Sequence, residues 1–371
     1  RIFTDRYSPE HWPQEFVGSL DFQIMAPGKL GSFLNSTRMR MYDRVRQLPR
    51  LLKGFDVVIG QHFPTYCWAT MARQLTGAAW RVVWMCQEPL RMLYTDVTDE
   101  HLLNHDKFAP PGVENSHLEV LAAKRSRHSW ARRRKARRNK MWDAKSVRKC
   151  DLVLTNSRFT ADNVRRIFDV ETHVCSLGIP LPPGTAYRRG EYVGVVGPLG
   201  DRKNIRNVVR AAAQLIRDRG CHDLRVLIAG DGPQRSQLAG EVSARGIDDN
   251  IEFVGRIDDA ALSEFYRNAR LIAYCPIDEP FGLVPLEALA AGTPVVVSNH
   301  GGPAEIIKDG ITGLHANPFA PSSIADAIEI LWTNESKARQ IALAGQAEVR
   351  RGFSLEAFVD RFEEQLTQKA L

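Results

Sequence analysis

The sequence contains no run of about 18 uninterrupted apolar residues, so no membrane-spanning helix is expected from it. Its six cysteines, Cys67, Cys86, Cys150, Cys175, Cys221 and Cys275, form no Cys-x-x-Cys pair, which argues against a structural zinc. Several of them sit in strand-like apolar runs, the usual place of inert core thiols. The expectation is a reduced, cytoplasmic protein. No secretory leader is visible, and the sequence opens on Arg1 rather than on a methionine. Asp-x-Asp, a pair that holds divalent ions, occurs nowhere.

What is present suits two globular domains: 371 residues with 44% hydrophobic content. The net charge of +7 is not evenly spread. Between Lys124 and Lys149 stand thirteen Lys or Arg against one acid, Asp143, a local net of +12 that leaves the rest of the chain at −5. Within that segment Trp130, Met141 and Trp142 are spaced by about three helical turns, which predicts a shared face. Arg132, Arg133, Arg134, Lys135, Arg137 and Arg138 cover much of the remainder. Three readings of this basic helix stand side by side: a solvated face, a surface lying on an anionic membrane, and, well behind these, a nucleic-acid contact. No recognised nucleic-acid module accompanies the run.

Strand-like runs alternate with helical ones along the first half. Ile2-Phe3-Thr4, Phe22 to Met25, Val57 to Ile59, Val82 to Met85 and Leu152 to Leu154 are the strands. Ser36 to Leu52 and Tyr66 to Leu75 are helical. That alternation predicts a parallel sheet with helices on both faces. Residues 95–117, polar and containing Pro110-Pro111-Gly112, are expected to be an irregular loop. Asn156 or Ser157 caps the helix that follows the Leu152 strand. The rigid stretch Gly178 to Gly184 places a domain boundary near residue 182. Beyond it Tyr192 to Val196 is a strand, a loop runs from Gly197 to Asn204, and Ile205, Val208, Val209, Ala212, Leu215 and Ile216 trace one helical face.

The chain is organised around Glu279 to Val297, Glu-Pro-Phe-Gly-Leu-Val-Pro-Leu-Glu-Ala-Leu-Ala-Ala-Gly-Thr-Pro-Val-Val-Val. Leu271 to Cys275 before it is a strand. A helix starts near Pro285, Gly292 ends it, Pro294 stops it, and Val295 to Val297 is a buried strand. Glu279 then lies on a loop at a strand's C-terminal end, and Glu287 in the first turn of the next helix. In open α/β sheets that edge is where ligands bind. Backbone N–H groups of Phe281, Gly282 and Leu283 are placed to meet an anion, and the two carboxylates to accept from sugar or ribose hydroxyls.

Glu279 and Glu287, with Phe-Gly-Leu between them and Ala-Gly-x-Pro-Val-Val after, resemble the retaining nucleotide-sugar glycosyltransferases of family 4. The resemblance is strong over residues 150–366 and loose over 1–150. It implies a GT-B fold: two α/β Rossmann-like domains facing across a cleft, with residues 1–182 the acceptor-side domain, 183–352 the nucleotide-sugar domain, and 353–371 a helix crossing back. The family's first strand, glycine loop and first helix would precede Ile2. Lys203 matches the family's diphosphate lysine, and its arginine position holds Pro198, with Arg202 as a neighbouring substitute. Gly230-Asp231-Gly232-Pro233 resembles the turn near the nucleotide base. His300-Gly301-Gly302 is a further glycine loop whose backbone could meet phosphate or sugar. Cys86-Gln87-Glu88-Pro89-Leu90-Arg91 has Gln87 where family members carry a histidine. Gln87 cannot titrate, so Gln87, Glu88 and Arg91 are either sugar- or acceptor-side groups or a polar loop held by a Glu88–Arg91 contact.

The resemblance thus implies a metal-independent, retaining transfer of a hexose from a nucleotide sugar to a hydroxyl of a glycan or lipid-linked acceptor. No cofactor is needed beyond the nucleotide sugar. Gln-Glu-Pro-x-Arg is similar to the pattern of mannosyltransferases that build surface polysaccharides. GDP-mannose is the first donor expected and a UDP-hexose the second. Lys203 takes the diphosphate, Glu279 the sugar hydroxyls and Glu287 the ribose. A lipid-linked acceptor favours a peripheral site on the inner face of a membrane. The competing reading is a non-catalytic, degenerate nucleotide-sugar binder, which the missing glycine loop, Gln87 and Pro198 would fit.

Overall fold

The computed structural model describes residues 2–4, 22–24, 45–103, 130–182 and 187–370. Two parallel sheets carry most of the chain. The first has four strands in the order β3 (Val57–Gly60), β4 (Arg81–Cys86), β5 (Leu152–Thr155) and β6 (His173–Val174). A separate parallel pair joins β1 (Ile2–Thr4) to β2 (Phe22–Ile24). The second sheet has six strands in the order β12-β11-β10-β7-β8-β9. These are β7 (Tyr192–Val196), β8 (Val226–Ala229), β9 (Ile251–Gly255), β10 (Ala269–Tyr274), β11 (Val295–Ser298) and β12 (Leu314–Ala316).

By packing, the chain divides into two compact units: residues 1–85 with 138–153, and residues 86–137 with 154–369. In the first, the helix Thr65–Thr76 turns Tyr66, Cys67, Ala69, Thr70 and Ala72 inward. The Tyr66 hydroxyl donates to the buried Asp143 carboxylate. Asp151 accepts from the Val82 N–H at 2.6 Å and pairs with Arg73. The core of the second unit is mostly aliphatic, with Phe265, Tyr266, Tyr274, Phe281 and Trp332 among its buried residues. All six residues of β10 and all four of β11 are buried, as parallel strands covered on both faces require.

In the six-stranded sheet β7 comes first, β8 and β9 extend it one way, and β10 to β12 extend it the other. Loops leaving the C-terminal ends of β7 and β10 therefore diverge at a topological switch point. They are residues 197–204 and 275–282, and the second runs into the stretch Glu279 to Val297 singled out from sequence. The helix Leu283–Ala290 has left-handed Gly282 at its N-cap, and Gly292, at φ +85°, turns the chain into β11.

Three expectations are corrected. Residues 95–98 and 100–103 are helical where a loop was expected, and Tyr94, at the kink just before them, is buried against Phe168 with ring centroids 5.2 Å apart. The rest of that loop, residues 104–117, lies outside the described residues. Glu287 is the fifth residue of its helix and so stands in the second turn. In the basic helix Trp130–Val147, Met141 is exposed while Trp142 packs edge-on against Phe63 at 5.4 Å. Among the described residues the buried positions there are Asp143, Ser146 and Val147. Successive residues are about 100° apart around a helix, so Met141 and Trp142 cannot share a face. The six cysteines are all free, and among the described residues no helix is long and apolar enough to cross a membrane.

Candidate active site

Lys203 and Glu279, 76 positions apart, meet at the switch point. Lys203 Nζ donates to Glu279 Oε2 at 2.9 Å and to the Tyr274 hydroxyl at 2.9 Å. The ammonium also lies 5.2 Å from the Tyr274 ring centroid. Burial, with the Glu279 charge and hydrogen bond adding to it, holds the Tyr274 phenol well above its ordinary value, so it stays protonated.

The two loops are fixed to one another by polar contacts. The Ile277 N–H donates to the Arg202 carbonyl at 2.8 Å, and Asn204 Nδ2 donates to the Cys275 carbonyl at 2.9 Å. Asn204 itself takes the left-handed conformation, φ 54°, which Asn tolerates better than most residues. Arg202 Nη2 donates to the Asp278 carbonyl at 2.6 Å and stands 3.6 Å from both Glu88 and Asp99. Its guanidinium is thus engaged by protein groups beside Lys203, and a role toward a diphosphate requires it to exchange partners.

Asp278 is a residue the sequence reading missed. It is 1% exposed and left-handed at φ 52°. Its carboxylate accepts from His101 Nδ1 at 2.7 Å, and its carbonyl also receives Arg91 Nη2 at 3.3 Å. The His101 and His300 rings stack at 4.8 Å. Burial first, and His101 second, push His300 down to about 4, so it is neutral at pH 7. Donor atoms of His101, Asp278 and His300 lie within 4.8 Å of one another, the spacing of a possible cation site. However, two guanidiniums border Asp278, and His300 Nε2 already accepts the Asp278 N–H at 3.3 Å. The arrangement serves as a hydrogen-bonded brace for the loop. The only hint in the sequence was that Asp278 immediately precedes Glu279.

Glu287 accepts from the Tyr266 hydroxyl at 2.7 Å. Burial raises the Glu287 carboxyl, while the Tyr266 bond lowers it in part. Phe281 is buried, Gly282 is left-handed at φ 113°, and Leu283 opens the helix. Among the described residues the N–H groups of Phe281, Gly282 and Leu283 have no backbone partner, which leaves them to an anion. The Gly302 N–H, by contrast, donates to the Glu279 carbonyl at 2.8 Å, and a Cβ on Gly302 would come 2.3 Å from the Phe281 Cα. The Gly302 N–H is thus engaged by the loop of residues 275–282 and is not free for a phosphate or a sugar.

The remaining candidates are placed as follows. Gly230 ends β8 at φ +141°, where a Cβ would lie 2.0 Å from the Gly197 carbonyl oxygen. Glu88 and Arg91 form an ion pair, and the Gln87 carbonyl accepts Asn156 Nδ2 at 2.9 Å. The Ser157 hydroxyl caps its helix by accepting the Thr160 N–H at 3.0 Å. Arg134, Lys135, Arg137 and Arg138 are exposed on the basic helix, and Arg132 and Arg133 lie on the same helix.

A family model described as "Glycosyltransferase Family 4" matches residues 1–182, and one described as "Glycosyl transferases group 1" matches residues 184–348. An uncharacterized glycosyltransferase of Methanocaldococcus jannaschii, MJ1607, is 37% identical over 134 residues, 36% of this chain and 34% of that protein. The D-inositol 3-phosphate glycosyltransferase of Nocardia farcinica is 34% identical over 197 residues, 47% of this chain and 44% of that protein. The chain thus spans less than half the length of these curated relatives. Among solved structures, Alr3699/HepE of Anabaena in complex with UDP superposes with a TM-score of 0.71 at 16% identity, over 95% of this chain and 88% of that one. The fold is therefore GT-B.

Proposed function

From the two glycosyltransferase matches, which together take in residues 1–182 and 184–348, we propose that this chain transfers a hexose from a nucleotide sugar to a hydroxyl acceptor. The observation that carries the reading is the Lys203–Glu279 pair at the switch point, beside the unpaired N–H groups that open the helix Leu283–Ala290. An incoming diphosphate displaces Glu279 from Lys203 and is neutralised by that ammonium and by the backbone N–H groups. Glu279, released, accepts from the sugar hydroxyls, and Glu287 accepts from the ribose. The bond between the anomeric carbon and the diphosphate breaks, and the acceptor oxygen forms the new bond. The acceptor's proton passes to the departing diphosphate.

Retention of configuration, independence from a metal ion and GDP-mannose as first donor belong to the same proposal and rest on the family resemblance. A UDP-hexose is the second donor, supported by the UDP bound to the Anabaena neighbour. A glycan or lipid-linked acceptor, and docking of the exposed Arg134, Lys135, Arg137 and Arg138 on an anionic membrane, complete it. The test is release of nucleoside diphosphate from GDP-mannose and UDP-glucose, with Lys203→Met as the control. Loss of a group that stabilises the leaving charge lowers turnover by about 100- to 1,000-fold. Equal release by the variant would remove Lys203 from the chemistry.

A further inference from the structure

The two carboxylates of the stretch Glu279 to Val297 are held in different ways. Glu279 pairs with the Lys203 ammonium at 2.9 Å. Glu287 has no such cation. Among the described residues its side chain meets one hydrogen-bond donor, the Tyr266 hydroxyl, which reaches Oε2 at 2.7 Å. Its other oxygen, Oε1, is left open, and the residue is half-buried.

Tyr266 lies near the end of the helix Asp259–Asn268 and is 3% exposed. It belongs to the same apolar cluster as Leu286, Leu289 and Val295. Packing alone would be met there by phenylalanine, and a buried phenol hydroxyl needs a hydrogen-bond partner. The backbone of Tyr266 is tied to the same segment. The Thr293 hydroxyl donates to the Tyr266 carbonyl at 2.6 Å, and Thr293, itself 3% exposed, sits in the turn between the helix of Glu287 and β11. One residue thus grips the Glu287 helix and the turn after it through its two ends. Burial, with the Glu287 charge added, keeps the phenol well above its ordinary value, so it is a donor at neutral pH.

We propose that Tyr266 is a positioning residue for the nucleoside: by occupying Oε2 it fixes the Glu287 side chain and leaves Oε1 to accept from a ribose hydroxyl. The inference rests on the nucleotide-sugar reading and deepens it, because it assigns preference for a ribose diol to Tyr266 acting through Glu287. A glutamate held before the ligand arrives loses less side-chain freedom on binding. The hold is also uncharged. A lysine in the place of Tyr266 would be drawn to an incoming diphosphate, as Lys203 is, whereas a phenol stays where it is.

The test is calorimetric titration of wild-type protein and Tyr266→Phe with UDP, GDP and their 2′,3′-dideoxy analogues. The phenyl ring fills the same space, and water can reach the half-buried Glu287, so the variant should fold. Wild type should bind the ribonucleotide at least about tenfold tighter than its dideoxy analogue, the scale of one hydrogen bond to a charged group. In Tyr266→Phe that ratio should fall to about a third or less, with dideoxy affinity within about twofold of wild type. Glu287→Gln should shrink the same ratio, and the double variant should lose little more, because the two residues act as one unit. An undiminished ratio in Tyr266→Phe would overturn the positioning role, and equal weakening of both ligand types would mark a packing role instead. If wild type binds the ribonucleotide and its dideoxy analogue alike, this inference fails while the diphosphate site stands. If it binds no nucleotide, the functional reading fails, and this inference with it.

Discussion

Replacement of Glu287 by glutamine separates ligand binding from stability. In the protein without ligand, Glu287 is a largely buried carboxyl whose pKa is raised above 4.5 by burial, against the opposing bond from Tyr266. A carboxyl raised in the folded state contributes its stabilisation below the unfolded value. That contribution is lost as pH rises from about 4.5 through the raised folded value. At neutral pH the ionised group is therefore a cost of folding. Glutamine keeps the shape and can still accept from the Tyr266 hydroxyl, but carries no charge. Glu287→Gln should melt no lower than wild type at pH 7, and its advantage should vanish toward pH 4. Nucleotide binding should move the opposite way. A hydrogen bond to a charged acceptor contributes about 1.5 to 3 kcal/mol, so loss of the carboxylate's bond to the ribose weakens binding roughly 10- to 150-fold. Calorimetry with UDP and GDP at pH 7, alongside melting curves from pH 4 to 8, reads both effects. Unchanged nucleotide affinity would refute the ribose role, and a variant less stable at pH 7 would refute the burial argument.

Gly230→Ala should lower stability by about 1 to 3 kcal/mol, because its Cβ would lie 2.0 Å from the Gly197 carbonyl oxygen and the backbone is at φ +141°. A urea midpoint equal to that of wild type would show that the turn can shift freely. Replacing Arg134, Lys135, Arg137 and Arg138 together by alanine should abolish flotation with vesicles containing phosphatidylserine, at about 1 kcal/mol per charge. Flotation that persists in the variant, or that never occurs with wild type, leaves this helix a solvated face.

Much of the six-stranded sheet was legible in the sequence, as were Lys203 and Glu279, which the fold brings together. Val295 to Val297 and Leu271 to Cys275 are apolar runs bounded by Gly and Pro, and such runs depend on little beyond themselves. Glu279 was singled out because it lies on a loop leaving a strand, and Lys203 because it matches the lysine of the family that the sequence resembles. Tyr274 was hidden by the same logic, since a tyrosine ending an apolar run reads as core, and only the fold shows where its hydroxyl points. Asp278 gains its meaning from His101, 177 positions away. The helix Arg91–Thr98 has only a partial apolar face of its own, and the burial of Tyr94 against Phe168 holds it. In the basic helix the inward face includes Asp143, a charged residue that periodicity assigns to solvent and that the Tyr66 hydroxyl makes tolerable inside.

The central claim is that residues 197–204 and 275–290 bind the diphosphate of a nucleotide sugar. Thermal denaturation against UDP, GDP and their sugars, without added metal, tests it most directly. A ligand present at about 100 times its Kd stabilises the folded chain by about 2.7 kcal/mol, a readable rise in melting temperature. The account predicts that rise for one nucleotide base and its loss in Lys203→Met. An unchanged melting temperature with every ligand would contradict it.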